Sequence, residues 1–351
     1  MTNKFGSRFA GATARAGESF PPLPTVRAAV PKERKWTPSR QSEHVDEMAM
    51  AEDPIFGEAV PSASAKLGPT GRPLPFFPEP PPLDRHGPAT IIAMCNQKGG
   101  VGKTTSSINL GAALAEYGRK VLLVDFDPQG ALSVGLGINP HELDMTMHNL
   151  LMERGTRAED VLLKTNVPGL DLLPCNIDLA AAEVQLVNEV AREQSLYRAL
   201  APLAADYDFM IIDCQPSLGL LTLNALTAAH SVIIPLECEY FALRGVALLT
   251  DTIAKVQDRL NPDLRMEGIL ATMFDARTVH GREVLSRVVE AFGDGVFHTV
   301  IGRTVRFPET TVVGEPITTY ASSSTGAKAY RQLARELLAR PARVQQVGYR
   351  R

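Results

Sequence analysis

Residues 96–105 read Asn-Gln-Lys-Gly-Gly-Val-Gly-Lys-Thr-Thr. This glycine-rich stretch follows an apolar run and precedes a helical pattern. Gly99, Gly100 and Gly102 allow backbone N–H groups to turn inward around phosphate oxygens without a side-chain clash. The start of the next helix adds a partial positive charge. Lys103 suits a site along the β and γ phosphates, and the Thr104 hydroxyl suits Mg²⁺. The bland reading, a βα turn that binds nothing, does not account for Gly-Lys-Thr in register after a strand. The strict phosphate-loop pattern fails at its first glycine, where Gln97 stands, and a second lysine, Lys98, opens the loop. Two lysines cannot easily reach one phosphate from the same side of so short a loop, so Lys98 is free to project away from its own nucleotide.

Carboxylates end two further apolar runs. Val124-Asp125-Phe126-Asp127-Pro128-Gln129-Gly130 carries Asp125 and Asp127 at i and i+2, on one face of a strand. At the carboxyl edge of a parallel sheet both would face the phosphates, where they can hold hydrated Mg²⁺ or orient an attacking water. Without the glycine-rich loop the same residues would be only a turn. Phe209-Met-Ile-Ile-Asp213 is an apolar strand ending in one acid, placed to bind Mg²⁺ through water.

The order of elements places these groups together. Strands are expected over 90–95, 120–126, 170–173, 209–213, 231–236, 267–273 and 296–301. Helices are expected over 104–117, 179–192, 218–229, 243–260, 281–292 and 326–340. This alternation predicts a P-loop-type α/β domain: a mostly parallel twisted sheet with helices on both faces. Val121-Leu-Leu-Val124 and Val232-Ile-Ile234 are apolar on both faces, as strands buried under helices must be. Gly118 should close the first helix and Pro341 the last, and Thr156 with Glu159 matches a capping box. Fifteen of the 26 prolines fall in residues 1–88, so that stretch reads as a disordered, proline-rich tail with polyproline-like character around 73–82. The expected division is tail 1–88, domain 89–341 and basic tail 342–351.

Lys98-Gly-Gly-Val-Gly-Lys-Thr-Thr105 resembles the deviant Walker A loop of the MinD/ParA superfamily. Asp125-Phe-Asp-Pro-Gln-Gly130 and Asp213-Cys-Gln-Pro-Ser-Leu-Gly219 resemble that superfamily's other boxes. The blocks Pro235-Leu-Glu-Cys-Glu-Tyr-Phe-Ala-Leu243, Met273-Phe-Asp-Ala-Arg-Thr278 and Val300-Ile-Gly-Arg-Thr-Val-Arg306 extend the resemblance to the ParA/Soj chromosome-partitioning ATPases over nearly all of residues 90–340. The resemblance implies ATP and Mg²⁺ as ligands. Gly99, Gly100, Val101, Gly102, Lys103, Thr104, Thr105, Asp125, Pro128 and Gln129 would bind the nucleotide, with Met273 and Gly302 flanking adenine. Thr104, Asp127 and Asp213 would serve the metal, and Asp127 would position the hydrolytic water. Lys98 would reach the partner subunit's nucleotide in an ATP-bound homodimer. Arg277, Arg303, Arg306, Lys328 and Arg331 would meet DNA without sequence preference, and a ParB-like partner would stimulate a slow ATPase. The family usually has proline where this chain has Gln215 and Gly302, and usually lacks Pro308 in the loop that follows. Gln215 bears on hydrolysis; Gly302 and Pro308 bear on adenine packing.

Charge and cysteines bound the rest. The chain's net charge is −3, against a wholly basic nucleic-acid binder, yet residues 303–351 hold nine Lys or Arg and three acids. Such a cationic face could hold phosphate backbones or be a solvated surface. Cys95, Cys175, Cys214 and Cys238 show no Cys-x-x-Cys spacing and read as buried thiols of a cytoplasmic protein. A MinD-like membrane switch, an iron–sulfur carrier and a tyrosine autokinase fit less well, and a non-hydrolysing ATP-binding adaptor or an orphan ParA-like regulator of replication or condensation stays open. Trp36 and the proline-rich tail could dock a protein partner. No run is apolar enough to span a membrane.

Overall fold

The structure, a computed structural model, describes residues 66–239 and 242–340. Seven strands form one sheet: β1 Thr90–Met94, β2 Val121–Phe126, β3 Leu163–Lys164, β4 Leu170–Leu173, β5 Phe209–Cys214, β6 Ser231–Glu237 and β7 Arg265–Thr272. Their order is β3-β4-β2-β5-β1-β6-β7, parallel except for the antiparallel edge pair β3 and β4. The helices are α1 Lys103–Glu116, α2 Ala131–Gly135, α3 Met147–Met152, α4 Ala158–Val161, α5 Leu179–Gln185 and α6 Ser195–Leu200. They continue with α7 Leu220–Ala228, α8 Ala242–Arg259, α9 Val279–Phe292, α10 Arg306–Val313, α11 Ile317–Tyr320 and α12 Thr325–Ala339.

Every residue of β2 is buried, as its unbroken apolar run required. The sheet carries a separate apolar cluster on each face. One gathers Leu122, Val124, Ile212 and Val232; the other gathers Ile92, Leu110, Leu114 and Leu123. Each fully buried leucine there contributes about 1.5–3 kcal/mol. The central strand β1 lies between β5 and β6, so chain connections diverge from it to opposite sides. A crevice at the carboxyl ends of the strands follows from that switch in direction.

Helix α12 packs along α1 through Tyr330, Leu333, Ala334 and Leu337, all buried. Its apolar stripe is therefore spent on the core. Among the described residues no helix is long and apolar enough to cross a membrane.

Several expectations needed correction. Residues 296–301 do not form a full strand: Val296 meets Ile269 of β7 at an isolated parallel bridge, and a second bridge joins Phe274 to Gly302 just beyond the two segments. The helix expected over 179–192 ends at Gln185 and tightens into a 3₁₀ turn at Leu186–Asn188. The cap of α4 lies one residue beyond Thr156: Arg157 N donates to Asp160 Oδ2 at 3.0 Å. Gly118 closes α1 as expected, at φ 74°. Pro341, Trp36 and the tail 342–351 lie outside the described residues, as do residues 1–65 of the expected N-terminal tail.

Residues 66–88, counted with that tail, instead run along the domain as a strap. Arg72 donates to the carbonyls of Gly293 at 3.0 Å and Val296 at 2.7 Å. Arg119 donates to Pro81 O at 2.9 Å. Gly87 N and Lys120 N both donate to the Asp208 carboxylate, which His86 also meets at 2.8 Å. The Phe77 ring sits edge-on to His298, with 6.4 Å between centroids. Proline cannot donate to a sheet ladder, and the proline-rich strap is held largely by side-chain bonds to distant groups, which hydrophobic periodicity does not register.

Replacing Arg72 with Ala removes a charged donor shared by two carbonyls. A loss of about 1–2 kcal/mol is expected, seen in a thermal melt as a fall in Tm of about 3–6 °C. An unchanged Tm would show that the Arg72 anchor adds nothing to the domain.

Candidate nucleotide site

The 96–105 loop joins β1 to α1. Gly102 caps α1 at φ 82°, ψ 26°, a left-handed conformation open to glycine, and no side chain caps the helix. Free N–H groups of the first turn therefore face the crevice. Lys103 is buried, and the contact of its ammonium with Lys98 O is long, at 3.4 Å. Gln97 Nε2 is buried without an acceptor among the described residues. A buried cation, an uncapped helix start and an orphaned donor on one loop make a cradle suited to an anion.

Opposite them lie two buried carboxylates. Asp125 and Asp213 are register partners on β2 and β5, both wholly inaccessible. Asp213 Oδ2 accepts from Thr104 Oγ1 at 2.6 Å and Oδ1 accepts from Ser107 Oγ at 3.1 Å. Asp125 Oδ2 accepts from Ser133 N at 2.9 Å and Ser133 Oγ at 2.7 Å. Burial, then the neighbouring Asp213 charge, pushes Asp125 up to about 8. Burial likewise pushes Asp213 up to about 7, against the pull of Thr104, Lys103 and Ser107. Two carboxylates so placed favour a cation between them, and Thr104 and Asp213 offer oxygen donors of the kind Mg²⁺ takes. The residues fit a Mg²⁺-bound polyphosphate.

Asp127 is half-buried, and its Oδ1 accepts Gln129 N at 3.0 Å, closing the turn. Pro128 is buried and Gln129 exposed. Gly130 has φ 63°, and a Cβ there would stand 2.9 Å from Cys175 O, so glycine is required twice over. Asp125, expected among the nucleotide-binding residues, is the acid in register with Asp213, whereas Asp127 reaches Asp213 through its charge alone.

On the other flank, Thr272 Oγ1 donates to Val101 O at 2.8 Å, tying β7 to the loop. Met273 follows at φ 50°, rare for a side chain of its size. Phe274 N donates to Ile301 O at 3.0 Å and Arg303 N to Phe274 O at 3.1 Å, which brings the Met273 and Gly302 segments together. They border a cavity of about 260 Å³ lined by Glu237, Glu239, Met273, Asp275 and Arg303 among others. A second cavity, about 150 Å³, opens beside Thr104, Thr105, Ala131 and Thr310. Pro308, expected in a loop, is the third residue of α10, where its missing N–H leaves no bond unmade. Gln215 Nε2 donates to both oxygens of Glu183 at 3.2 Å, anchoring the turn after Asp213 to α5.

Lys98 does not project freely. Its ammonium donates to Glu237 Oε2 at 2.9 Å and Glu239 Oε2 at 2.5 Å. Partial burial opposes its charge, but the bonds to Glu239 and Glu237 outweigh this and raise its pKa. Arg303 meets the same Glu237 at 3.1 Å. Two acids at i and i+2 closing β6 were the available signal, the same spacing that singled out Asp125 and Asp127.

The five expected DNA-contacting cations are mostly engaged. Arg277 pairs with Asp275 at 2.7 Å, Arg306 with Glu309 at 2.8 Å and Arg331 with Glu116 at 2.6 Å. Arg331 also donates to Ser322 O and Thr318 O, which joins α12 to α1 and α11. Lys328 is exposed on α12.

With that geometry in place, the comparisons decide the family. An AAA domain family matches residues 89–266. The sporulation initiation inhibitor protein Soj of Bacillus subtilis is 50% identical over 249 residues, covering 71% of this chain and 98% of Soj. The chain belongs to the ParA/Soj family of partitioning ATPases. An uncharacterised protein of Mycobacterium tuberculosis is 65% identical over 280 residues, 80% of this chain and 88% of that one. A solved cobyrinic acid a,c-diamide synthase from Mycobacterium smegmatis, bound to an ATP analog and magnesium, is 46% identical with a TM-score of 0.63, covering 71% of this chain and 94% of that chain. This ParA/Soj-family chain thus shares its P-loop fold with a nucleotide-bound relative.

The buried acids give a pH prediction. Their folded pKa values lie above that of an unfolded Asp, about 3.9. Stability is therefore full below that value and is lost as pH rises through about 7 to 8. In EDTA, Asp125→Asn should flatten the decline in unfolding free energy between about pH 5.5 and 8.5 by up to about 1.4 kcal/mol per pH unit. Equal slopes for variant and parent in urea titrations would contradict the assignment.

Proposed function

We propose that this chain is an ATP-dependent dimerising switch that binds DNA without sequence preference and hydrolyses ATP slowly, acting in chromosome or plasmid partitioning. The observation that carries the reading is the anion cradle of residues 97–105 set against Asp213, on a ParA/Soj fold. Lys103 and the N–H groups at the start of α1 hold the phosphates, and Thr104 and Asp213 hold Mg²⁺. Bound MgATP supplies the phosphoanhydride whose cleavage resets the switch. Asp127, at the mouth of the site, orients the attacking water, and Asp125 fixes Ser133 and the start of α2 beneath it. Met273 and Gly302 border the adenine.

Lys98 acts across the dimer. In the single chain it rests on Glu237 and Glu239, with about half of its side chain exposed. Such surface pairs contribute only about 0.2–1 kcal/mol each. A partner's phosphates, which carry more charge, outcompete them. The lysine exchanges one set of anions for another, and the dimer forms where nucleotide is present.

DNA binding rests on Arg277, Arg303, Arg306, Lys328 and Arg331. Their local ion pairs are exposed and weak, except that Arg331 is also tied to backbone and serves mainly to hold α12. Dimerisation brings two such surfaces onto one duplex and raises avidity. A ParB-like partner accelerates hydrolysis and releases the dimer. The location is cytoplasmic, on the nucleoid.

Lys98→Ala should keep ATP affinity within about twofold yet lose ATP-dependent dimerisation and DNA retention by at least about tenfold. That loss corresponds to about 1.4 kcal/mol. Sedimentation and filter binding measure the two. A variant that still dimerises and still retains DNA removes the switch mechanism and leaves the nucleotide site intact.

A further inference from the structure

Cys95 is the first residue beyond β1 and Cys214 is the last residue of β5. The β1–β5 ladder ends at Met94 opposite Asp213, so the two cysteines stand side by side one step further on. Both belong to the same apolar cluster, hence to the same face of the sheet. Their sulfurs are 2.8 Å apart, and each residue is 1% exposed. Both are free thiols. Neighbouring strands lie about 4.8 Å apart, inside the window of about 4.4–6.8 Å between Cα atoms that a disulfide takes. Bridging therefore asks for rotation of two side chains rather than movement of two strands. Cys175 is differently placed, donating instead to the carbonyl of Asn176.

We propose that Cys95 and Cys214 form an oxidative modification site, closing to a disulfide on reaction with a hydroperoxide. Cys95 loses its S–H proton and its sulfur attacks one peroxide oxygen; the O–O bond breaks, leaving a sulfenic acid and releasing water from hydrogen peroxide. Cys214 then loses its proton and attacks the Cys95 sulfur, whose S–O bond breaks to release the second water. Two thiols give up two electrons, and one peroxide becomes two waters. An external dithiol reverses the bond. The burial of both residues selects a small neutral oxidant over bulky disulfides, which cannot reach either sulfur.

The site is coupled to the phosphate loop by chain connectivity. Asn96, next to Cys95, donates to Pro235 O at 2.7 Å and accepts Lys98 N at 2.9 Å. Asp213, next to Cys214, accepts from Thr104 and Ser107. Closing the sulfurs from 2.8 Å to the bonded distance of about 2.05 Å fixes both side chains, and any strain of closure falls on the backbone beside Asn96 and Asp213. The consequence for ATP rests on the nucleotide reading above; the bond itself does not.

The full-length chain is treated with hydrogen peroxide or glutathione disulfide, quenched with N-ethylmaleimide, and digested without reduction for mass spectrometry. Peroxide should lower the mass by about 2 Da, as two hydrogens leave when the S–S bond forms, and should yield one cross-linked pair of peptides carrying Cys95 and Cys214. Cys214→Ser and Cys95→Ala should each abolish that pair. Affinity of the parent for a fluorescent ATP analogue with magnesium should fall about tenfold on oxidation and return with dithiothreitol, while both variants stay insensitive. Peroxide products limited to sulfinic acids, or cross-links to Cys175 or Cys238, overturn the proposal; so does a glutathione adduct on either cysteine. A bond without any change in affinity overturns the coupling. If the reduced parent binds no nucleotide at all, the nucleotide reading fails and the cross-link result stands by itself.

Discussion

Two aspartates sit in register on adjacent parallel strands, both sealed from solvent, and the rest of the site answers their charge. Ser133 and its backbone N–H serve Asp125; Thr104 and Ser107 serve Asp213. Each donor comes from a helix that leaves the sheet at its carboxyl edge, so the strands cannot hold their acids without α1 and α2 in place. Lys103 supplies a positive charge beside Asp213, and even so both acids are displaced toward their protonated forms. Buried charges of like sign cost the fold stability unless a cation joins them. Acids displaced in this way cluster at functional sites.

The second organising contact is the placement of Lys98. The loop has one lysine buried among its own glycines and another at its rim, tied to acids that end β6. Arg303 shares Glu237 with it, so the rim lysine and one of the cations assigned to DNA draw on the same carboxylate. Removing Lys98 from Glu237 leaves Arg303 as a remaining cation on that carboxylate, through its other oxygen. Nucleotide-driven pairing and DNA contact are linked in the proposed switch through that shared acid, without a long-range path.

Much of this was legible from residue types. Unbroken apolar runs announced the buried parallel strands, and glycines with Lys103 and Thr104 announced the loop between β1 and α1. Period and propensity register local conformation, which is why long elements such as α1, α9 and α12 emerged near their observed bounds. They do not register tertiary bonds. The two-residue strand β3 is too short to carry alternation and exists because it pairs with Leu172 and Asp171. The run 296–301 looks like a strand, and Phe297 N and Ile301 N do donate to Ile269 O and Ala271 O of β7, but these bonds are too scattered to make a continuous ladder. Residues 66–88 read as tail since their anchors, Arg72 and His86, bond to groups over a hundred positions away. At the site, the loop and Asp213 were evident, whereas the tether of Lys98 to Glu237 and Glu239 arises from the ends of β1 and β6 meeting at one edge.

The most direct test of the central claim is a crystal structure of the full chain with a non-hydrolysable ATP analogue and magnesium. The account predicts two copies face to face, magnesium on Thr104 and Asp213, and each Lys98 withdrawn from Glu237 and Glu239 onto the other copy's phosphates. A single copy with nucleotide bound and Lys98 still resting on its own glutamates would contradict it.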